Sequence, residues 1–100
     1  MYIKEIRIVV FEWDEDKNIA NIRKHGISFD DAVFVFKDPY LLEAYDKKHS
    51  SLDEDRWYAI GFAERILCVV FIERLGTIRI ISARLATKKE INEYYKKNNA

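Results

Sequence analysis

Between Arg56 and Arg84 the chain runs through three strand-like stretches, "RWYAIGF", "ILCVVFIER" and "TIRIISAR", parted only by Ala63–Arg65 and Leu75–Gly76. Joints this short can only turn the chain back on itself, because parallel pairing needs a crossover of a dozen or more residues. The block therefore predicts an antiparallel meander rich in β-branched and aromatic residues, on which the rest of the chain must pack. "YLLEAYD" (40–46) offers a further strand before it, and the segment Ile3 to Trp13, with "IRIVVFEW", offers another at the start.

The remaining segments carry helix punctuation. Asp14 is a natural N-cap for "DEDKNIANIRKHG", which has acidic residues in its first turn, Arg23, Lys24 and His25 in its last, and Gly26 just beyond. That order of charge complements the helix dipole, and glycine suits the residue after a helix end. Ile19 and Ile22, one turn apart, are the expected apolar face. Ser28 with Asp31 opens a second helix whose Phe29, Ala32, Val33 and Phe36 form a stripe until Asp38-Pro39 ends it. Thr87 and Glu90 form a T-x-x-E capping box for a last helix, with Ile91, Tyr94 and Tyr95 on one side. The order predicts an α+β fold: an antiparallel sheet of four to five strands packed against two N-terminal helices and one C-terminal helix. At 100 residues the chain supports one modest core, so residues 1–100 are expected to form a single domain.

Several classes of function drop out early. The longest apolar run, Ile66 to Ile72, is far too short to span a membrane, and "MYIKEIRIVV" lacks a secretory cleavage pattern, so a cytoplasmic protein with no membrane partner is expected. A single cysteine, Cys68, lies inside an apolar run, where it reads as a buried structural thiol. Two isolated histidines and scattered carboxylates lack metal-ligand spacing, so no metal or cofactor is expected. There is no Gly-rich phosphate loop and no nucleophile elbow. Net charge is zero but unevenly spread: residues 1–55 hold 8 Lys+Arg against 13 Asp+Glu, a net of −5, and residues 56–100 hold 9 against 4, a net of +5. The second half can thus present a basic patch that the total conceals.

The arginines of "RIISAR" are the least architectural feature. Strand alternation puts Arg79 on the side away from Ile78 and Ile80, and puts Arg84 nominally on the opposite side, so the two meet only if the strand bulges, twists or ends. Arg56 opens one strand, and Glu73 closes another just before the turn at Leu75–Gly76, which predicts Glu73 and Arg79 as cross-strand neighbours. A salt bridge pinning the hairpin is the plain explanation for any one such pair. His49 sits in the polar loop "KKHSSLDEDRW", where an imidazole is placed to move protons. His25 is accounted for by its position at a helix end.

Together these motifs carry a resemblance. "FEWDEDKNIANIRKHGISFDDAVFVF" followed by "DP", then "HSSLDEDRWYAIG", "LCVVFIER" and "IRIISARLATKKEINEYY", resembles the BrnT toxin family of type II toxin–antitoxin systems from about Phe11 to Tyr95. The resemblance implies a RelE-like fold and a ribonuclease that arrests growth by cleaving RNA. It implies neutralisation by a BrnA-type ribbon-helix-helix antitoxin, operator DNA contacted only through that antitoxin, and a heterotetramer with two toxins and two antitoxins. Carried onto the matching motifs, the site candidates are Arg56 of "DRW", Glu73 of "IER", Arg79 of "RII" and Arg84 of "SAR", with His49 and His25 in second rank.

RNA brings its own nucleophile, the 2′-OH, so metal-independent cleavage needs a base, positive charge at the phosphorus and a proton for the leaving 5′-oxygen. Glu73 or His49 is the expected base, Arg79 and Arg84 the phosphate clamps and Arg56 a positioning cation, which leaves the acid unassigned apart from His49. The rival expectation is a non-catalytic module that binds a ribbon-helix-helix partner and tunes its DNA binding. Arginines converging in an open groove favour the first, and arginines each held in separate salt bridges favour the second.

Overall fold

The computed structural model describes residues 9–98. In chain order they form β1 (Val10–Glu12), α1 (Glu15–His25), α2 (Phe29–Ala32), a 3₁₀ turn (Val33–Lys37), β2 (Leu42–Tyr45), β3 (Trp57–Ala63), β4 (Arg65–Arg74), β5 (Thr77–Leu85) and α3 (Lys88–Asn98). The sheet order is β1-β5-β4-β3-β2, with β2 to β5 an antiparallel meander as the short joints require. β1 corrects the all-antiparallel expectation: Val10 to Glu12 run parallel to Thr77 to Arg79, so the sheet is mixed. Everything from α1 to β4 separates the two strands in sequence, which is ample length for a parallel crossover. The predicted first strand began at Ile3, and its portion up to residue 8 lies outside the described residues.

The caps form where the sequence puts them. The Asp14 carboxylate accepts from the Asp16 and Lys17 amides, Gly26 closes α1 in the left-handed region at φ 71°, and the Ser28 hydroxyl accepts from the Asp31 amide. Thr87 and Glu90 complete their box reciprocally, each side chain accepting from the other residue's amide. The second predicted helix is shorter than expected, since α2 tightens after Ala32 into the 3₁₀ turn.

The buried face of α1 also departs from expectation. Ile19 and Ile22 are exposed, and the residues turned inward are Asn18 and Asn21. Asn18 accepts from the Phe29 amide, fixing the start of α2. Asn21 donates to the Ile27 and Ala83 carbonyls at 2.8 and 2.7 Å and accepts from the Ala83 amide at 3.1 Å. β1 ends opposite Arg79, so from there onward β5 has an open edge, and the Asn21 amide stands in for the missing neighbour strand.

The main core lies between this helical layer and one face of the sheet, with Phe29, Val35, Ala59, Leu67, Val69, Phe71, Ile80 and Ala83 at its centre. Burying an aromatic or large aliphatic side chain stabilises by about 1.5–3 kcal/mol, so this cluster dominates the fold. On the other face, Ile60, Cys68 and Tyr94 form a smaller cluster under α3. α3 covers only one end of that second face, and beside it lies a hollow bordered by the chain between β2 and β3.

One irregularity decides what the open face displays. Val70 pairs with Ser82 and Phe71 with Ile80, so Ile81 is an extra residue in β5. This bulge resets the alternation. Ile78, Ile80 and Ala83 all face the main core, and Ser82 and Arg84 join Arg79 on the open face.

Candidate active site

β3, β4 and β5 lay three cross-strand rows on the open face. Ile60, Cys68 and Arg84 form the row under α3, Tyr58, Val70 and Ser82 the next, and Ile72 and Arg79 a third that continues to Glu12 on β1. The chain between β2 and β3 is stitched back over these rows. The Asp46 amide donates to the Arg56 carbonyl at 2.8 Å, the Ser50 hydroxyl donates to the Asp46 carbonyl at 2.6 Å, and the Arg56 amide donates to the Ser50 hydroxyl at 2.9 Å. These bonds bring His49 and Arg56 to the rim of a hollow of about 350 Å³, lined also by Asp46, Tyr58, Ser82 and Arg84.

Within the hollow the charges are arranged rather than scattered. The Asp46 carboxylate is buried, receives the His49 amide at 3.2 Å and lies 2.9 Å from His49 Nδ1. Burial alone would raise the Asp46 carboxyl, but bonds from the His49 amide, the Tyr58 hydroxyl and the His49 ring outweigh it and hold it below its ordinary value. An ionised carboxylate only accepts, so it makes Nδ1 the donating nitrogen of a neutral His49 and leaves the lone pair on Nε2. Burial, and then the bond to Asp46, raise the Tyr58 phenol.

Arg84 is held by α3. Its Nη1 and Nη2 donate to the two Glu90 oxygens at 2.7 and 3.1 Å, and Nη1 also donates to the Leu85 carbonyl at 3.3 Å. A guanidinium has five N–H donors, so Nε and the second hydrogen of Nη2 remain without a partner among the described residues. The bond to Glu90 raises Arg84 above its ordinary value despite burial. For Glu90, burial is outweighed by the bonds from Arg84 and the Thr87 amide, which hold its carboxyl down at about 2. Beneath them burial pushes the Cys68 thiol up to about 12, which makes it an inert core group. Arg56 Nε donates to Glu54 at 2.8 Å, leaving both terminal nitrogens free of described partners.

Of the residues singled out in the sequence, the fold gathers His49, Arg56 and Arg84 in this hollow. Arg79 lies on the same face but in the next row, near Glu12 at 3.5 Å, and lines an adjoining hollow. Glu73 is not its cross-strand neighbour: the turn at Leu75–Gly76 pairs Arg74 with Thr77, so Glu73 stands opposite Ile78 and Arg79 opposite Ile72. Paired residues share a face, which puts Glu73 at the rim of the helical side, away from both hollows. His25 ends α1, in the helical layer. Asp46, Tyr58 and Ser82 were not anticipated. The spacing of Asp46 to His49 in a turn, and of Tyr58 two residues beyond Arg56, was the available signal for the first two; Ser82 was hidden by the bulge. Among the described residues no group of three His, Cys, Asp or Glu side chains could hold a metal ion.

Comparison with known proteins adds what geometry cannot. Residues 13–90 match the family described as "Ribonuclease toxin, BrnT, of type II toxin-antitoxin system". The chain belongs to the BrnT family. The crystal structure of the Brucella abortus ribonuclease toxin BrnT is similar to this BrnT-family chain, with a TM-score of 0.64 and 29% identity over 81% of this chain and 100% of that one. No curated protein matches. The family is one of ribonuclease toxins of type II toxin-antitoxin systems, which makes an antitoxin the implied partner. No helix among the described residues is long and apolar enough to cross a membrane.

Proposed function

We propose that this chain is a metal-independent endoribonuclease toxin whose catalytic centre is the hollow that joins the Asp46–His49 pair to Arg56 and Arg84. The observation that carries the reading is this convergence, in a chain of a ribonuclease toxin family, of an oriented imidazole with two guanidiniums that keep donors unpartnered among the described residues.

In the proposed step His49 Nε2 takes the proton of a 2′-OH as that oxygen attacks the adjacent phosphorus. Arg84 and Arg56 donate to the non-bridging oxygens, where charge accumulates as the O2′–P bond forms and the P–O5′ bond breaks. The departing 5′-oxygen takes a proton from solvent, and the products are a 2′,3′-cyclic phosphate and a 5′-OH end. Asp46 holds the imidazole in its working tautomer, as an aspartate does in hydrolytic triads. Glu73, the first sequence choice for the base, has no part because it lies on the other side of the sheet. Expression is expected to arrest growth in the cytoplasm, with relief by a BrnA-type ribbon-helix-helix antitoxin in a complex of two toxins and two antitoxins that reaches operator DNA through the antitoxin. A RelE-like fold and a single domain over residues 1–100 complete the reading.

The test is incubation of end-labelled RNA with purified protein in excess chelator. Cleavage to cyclic-phosphate ends by the parent and by Glu73→Ala, lost in His49→Ala and Arg84→Ala variants of unchanged fold, is the expected result. Cleavage that chelator abolishes, or that survives His49→Ala, refutes the mechanism. One observation favours the rival partner-binding module: Arg56 and Arg84 each already hold a carboxylate, Glu54 and Glu90. Intact RNA in every lane, with tight antitoxin binding, selects that reading.

A further inference from the structure

Beside the catalytic hollow lies a second one of about 480 Å³, a volume in the range of ligand sites, which the proposed chemistry does not use. Its wall and floor come from Glu12, Glu54, Ile72, Arg74, Thr77 and Arg79. The two are neighbours along the sheet: Val70 lines one and Ile72, two residues on in β4, lines the other, a step of about 7 Å along a strand. The 2.8 Å Arg56–Glu54 pair forms the partition, with Arg56 facing the first hollow and Glu54 the second. An extended RNA strand with its scissile phosphate between His49 and Arg84 therefore has its adjacent nucleotide at this second hollow.

The chemistry of the hollow selects among bases. Ile72 and the exposed Leu75 give an apolar surface against which a base can lie, and Arg74 offers a planar cation for its face or for a phosphate. Glu12 and Arg79 stand side by side, joined by a single 3.5 Å contact, so acceptor and donor lie next to one another with most of their hydrogen-bonding capacity unspent among the described residues. Guanine is the base whose Watson–Crick edge carries two adjacent donors, N1–H and the 2-amino group, beside one acceptor, O6. Both donors meet a carboxylate and O6 meets a guanidinium. Uracil sets carbonyls on either side of its one donor and so turns an acceptor toward Glu12.

We propose that the Glu12–Arg79 hollow is a base-selective subsite that holds guanine in the nucleotide flanking the scissile bond. The assignment rests on the ribonuclease reading and gives it a substrate preference.

The experiment measures fluorescence anisotropy of labelled tetranucleotides bound to the intact protein, with 2′-deoxy sugars so that cleavage is blocked, and with G, A, C or U at the flanking positions. Parent protein is expected to bind the guanine oligonucleotides about tenfold tighter than the uracil ones, the scale of one good bidentate contact. Glu12→Gln is expected to bring that ratio below twofold, and Arg79→Ala to shrink it while weakening all four. Arg84→Ala is expected to weaken all four alike and keep the ratio. Equal affinity of the parent for the four bases, or a guanine preference that persists in Glu12→Gln, overturns the subsite. If the parent cleaves ordinary RNA while showing no base preference, the subsite alone falls. A preference that follows Glu12 in a protein that cleaves nothing keeps the hollow as a guanine-binding site and removes its place beside a scissile bond together with the catalytic reading, and absence of both binding and cleavage removes both.

Discussion

Replacing Asn21 by alanine is the sharpest perturbation the fold offers, because a polar residue here performs a strand's work. The substitution removes two donated bonds and one accepted bond, and it strands the Ala83 amide, the Ala83 carbonyl and the Ile27 carbonyl in a buried place. Each buried group left unpaired costs about 1–3 kcal/mol, and a water entering the vacated space recovers part of that. The expected loss is about 3–5 kcal/mol, a large fraction of the roughly 5–15 kcal/mol that stabilises a domain of this kind. With a shift of about 4–8 °C per kcal/mol, the thermal midpoint should fall by about 12–40 °C. Urea unfolding followed by tryptophan fluorescence and circular dichroism measures it, beside Ile22→Ala as the comparison. Ile22 is exposed, and its truncation should cost less than about 1 kcal/mol. A loss at Asn21 no larger than that at Ile22 refutes the account of α1, and a changed denaturant slope would mean that the unfolded reference had shifted as well.

Further outcomes follow from the same contacts. The Glu90 carboxyl is held at about 2, below its ordinary 4.5, so the stabilisation it provides is present above pH 4.5 and is lost as pH falls toward 2. The stability difference between parent and Glu90→Gln, from urea midpoints at several pH values, should shrink across that window; a difference that stays flat refutes the pairing. Gly61→Ala would place a Cβ 2.9 Å from Val35 Cγ1 and 3.1 Å from the Val35 carbonyl oxygen, so a loss of about 1–3 kcal/mol from overpacking is expected in thermal melts. Asp46→Asn should lower the rate of RNA cleavage by about 100-fold or more with little change in substrate binding, since it misorients His49. Unchanged turnover would detach Asp46 from the chemistry.

Local signals in the sequence translated well where a few adjacent residues decide the outcome. Asp14, Gly26, Ser28 and the Thr87–Glu90 box each cap a helix through bonds spanning no more than four residues, and the short joints of the meander left β3, β4 and β5 one arrangement. The failures are long-range. The partner that turns Asn21 inward, Ala83, is 62 residues away, so a periodic pair of isoleucines looked like the buried stripe. β1 pairs with β5 across a separation of 67 residues, and nothing within Val10–Glu12 announces that direction. At the site, His49, Arg56 and Arg84 were identified by residue type and location, but Asp46 acquires its role by burial under the loop, and Glu73 was lost to a pairing one residue different from the expected one.

The extra residue at Ile81 makes the interval between Arg79 and Arg84 a counted length. In an unbroken strand, side chains share a face only at even separations, and these two arginines are separated by five. A regular ladder that kept all five steps would have to shift one end of the strand. Either the far end of β5 shifts, offering the main core a serine or an arginine in place of Ala83, or the near end shifts and empties the places of Ile78 and Ile80. Loss of Ile81 itself would instead leave an even interval of four steps, which keeps both arginines on the open face without a bulge. Among chains of this family, an odd interval between the two arginines marks a bulge, and an even interval marks a site that reached the same face by another path.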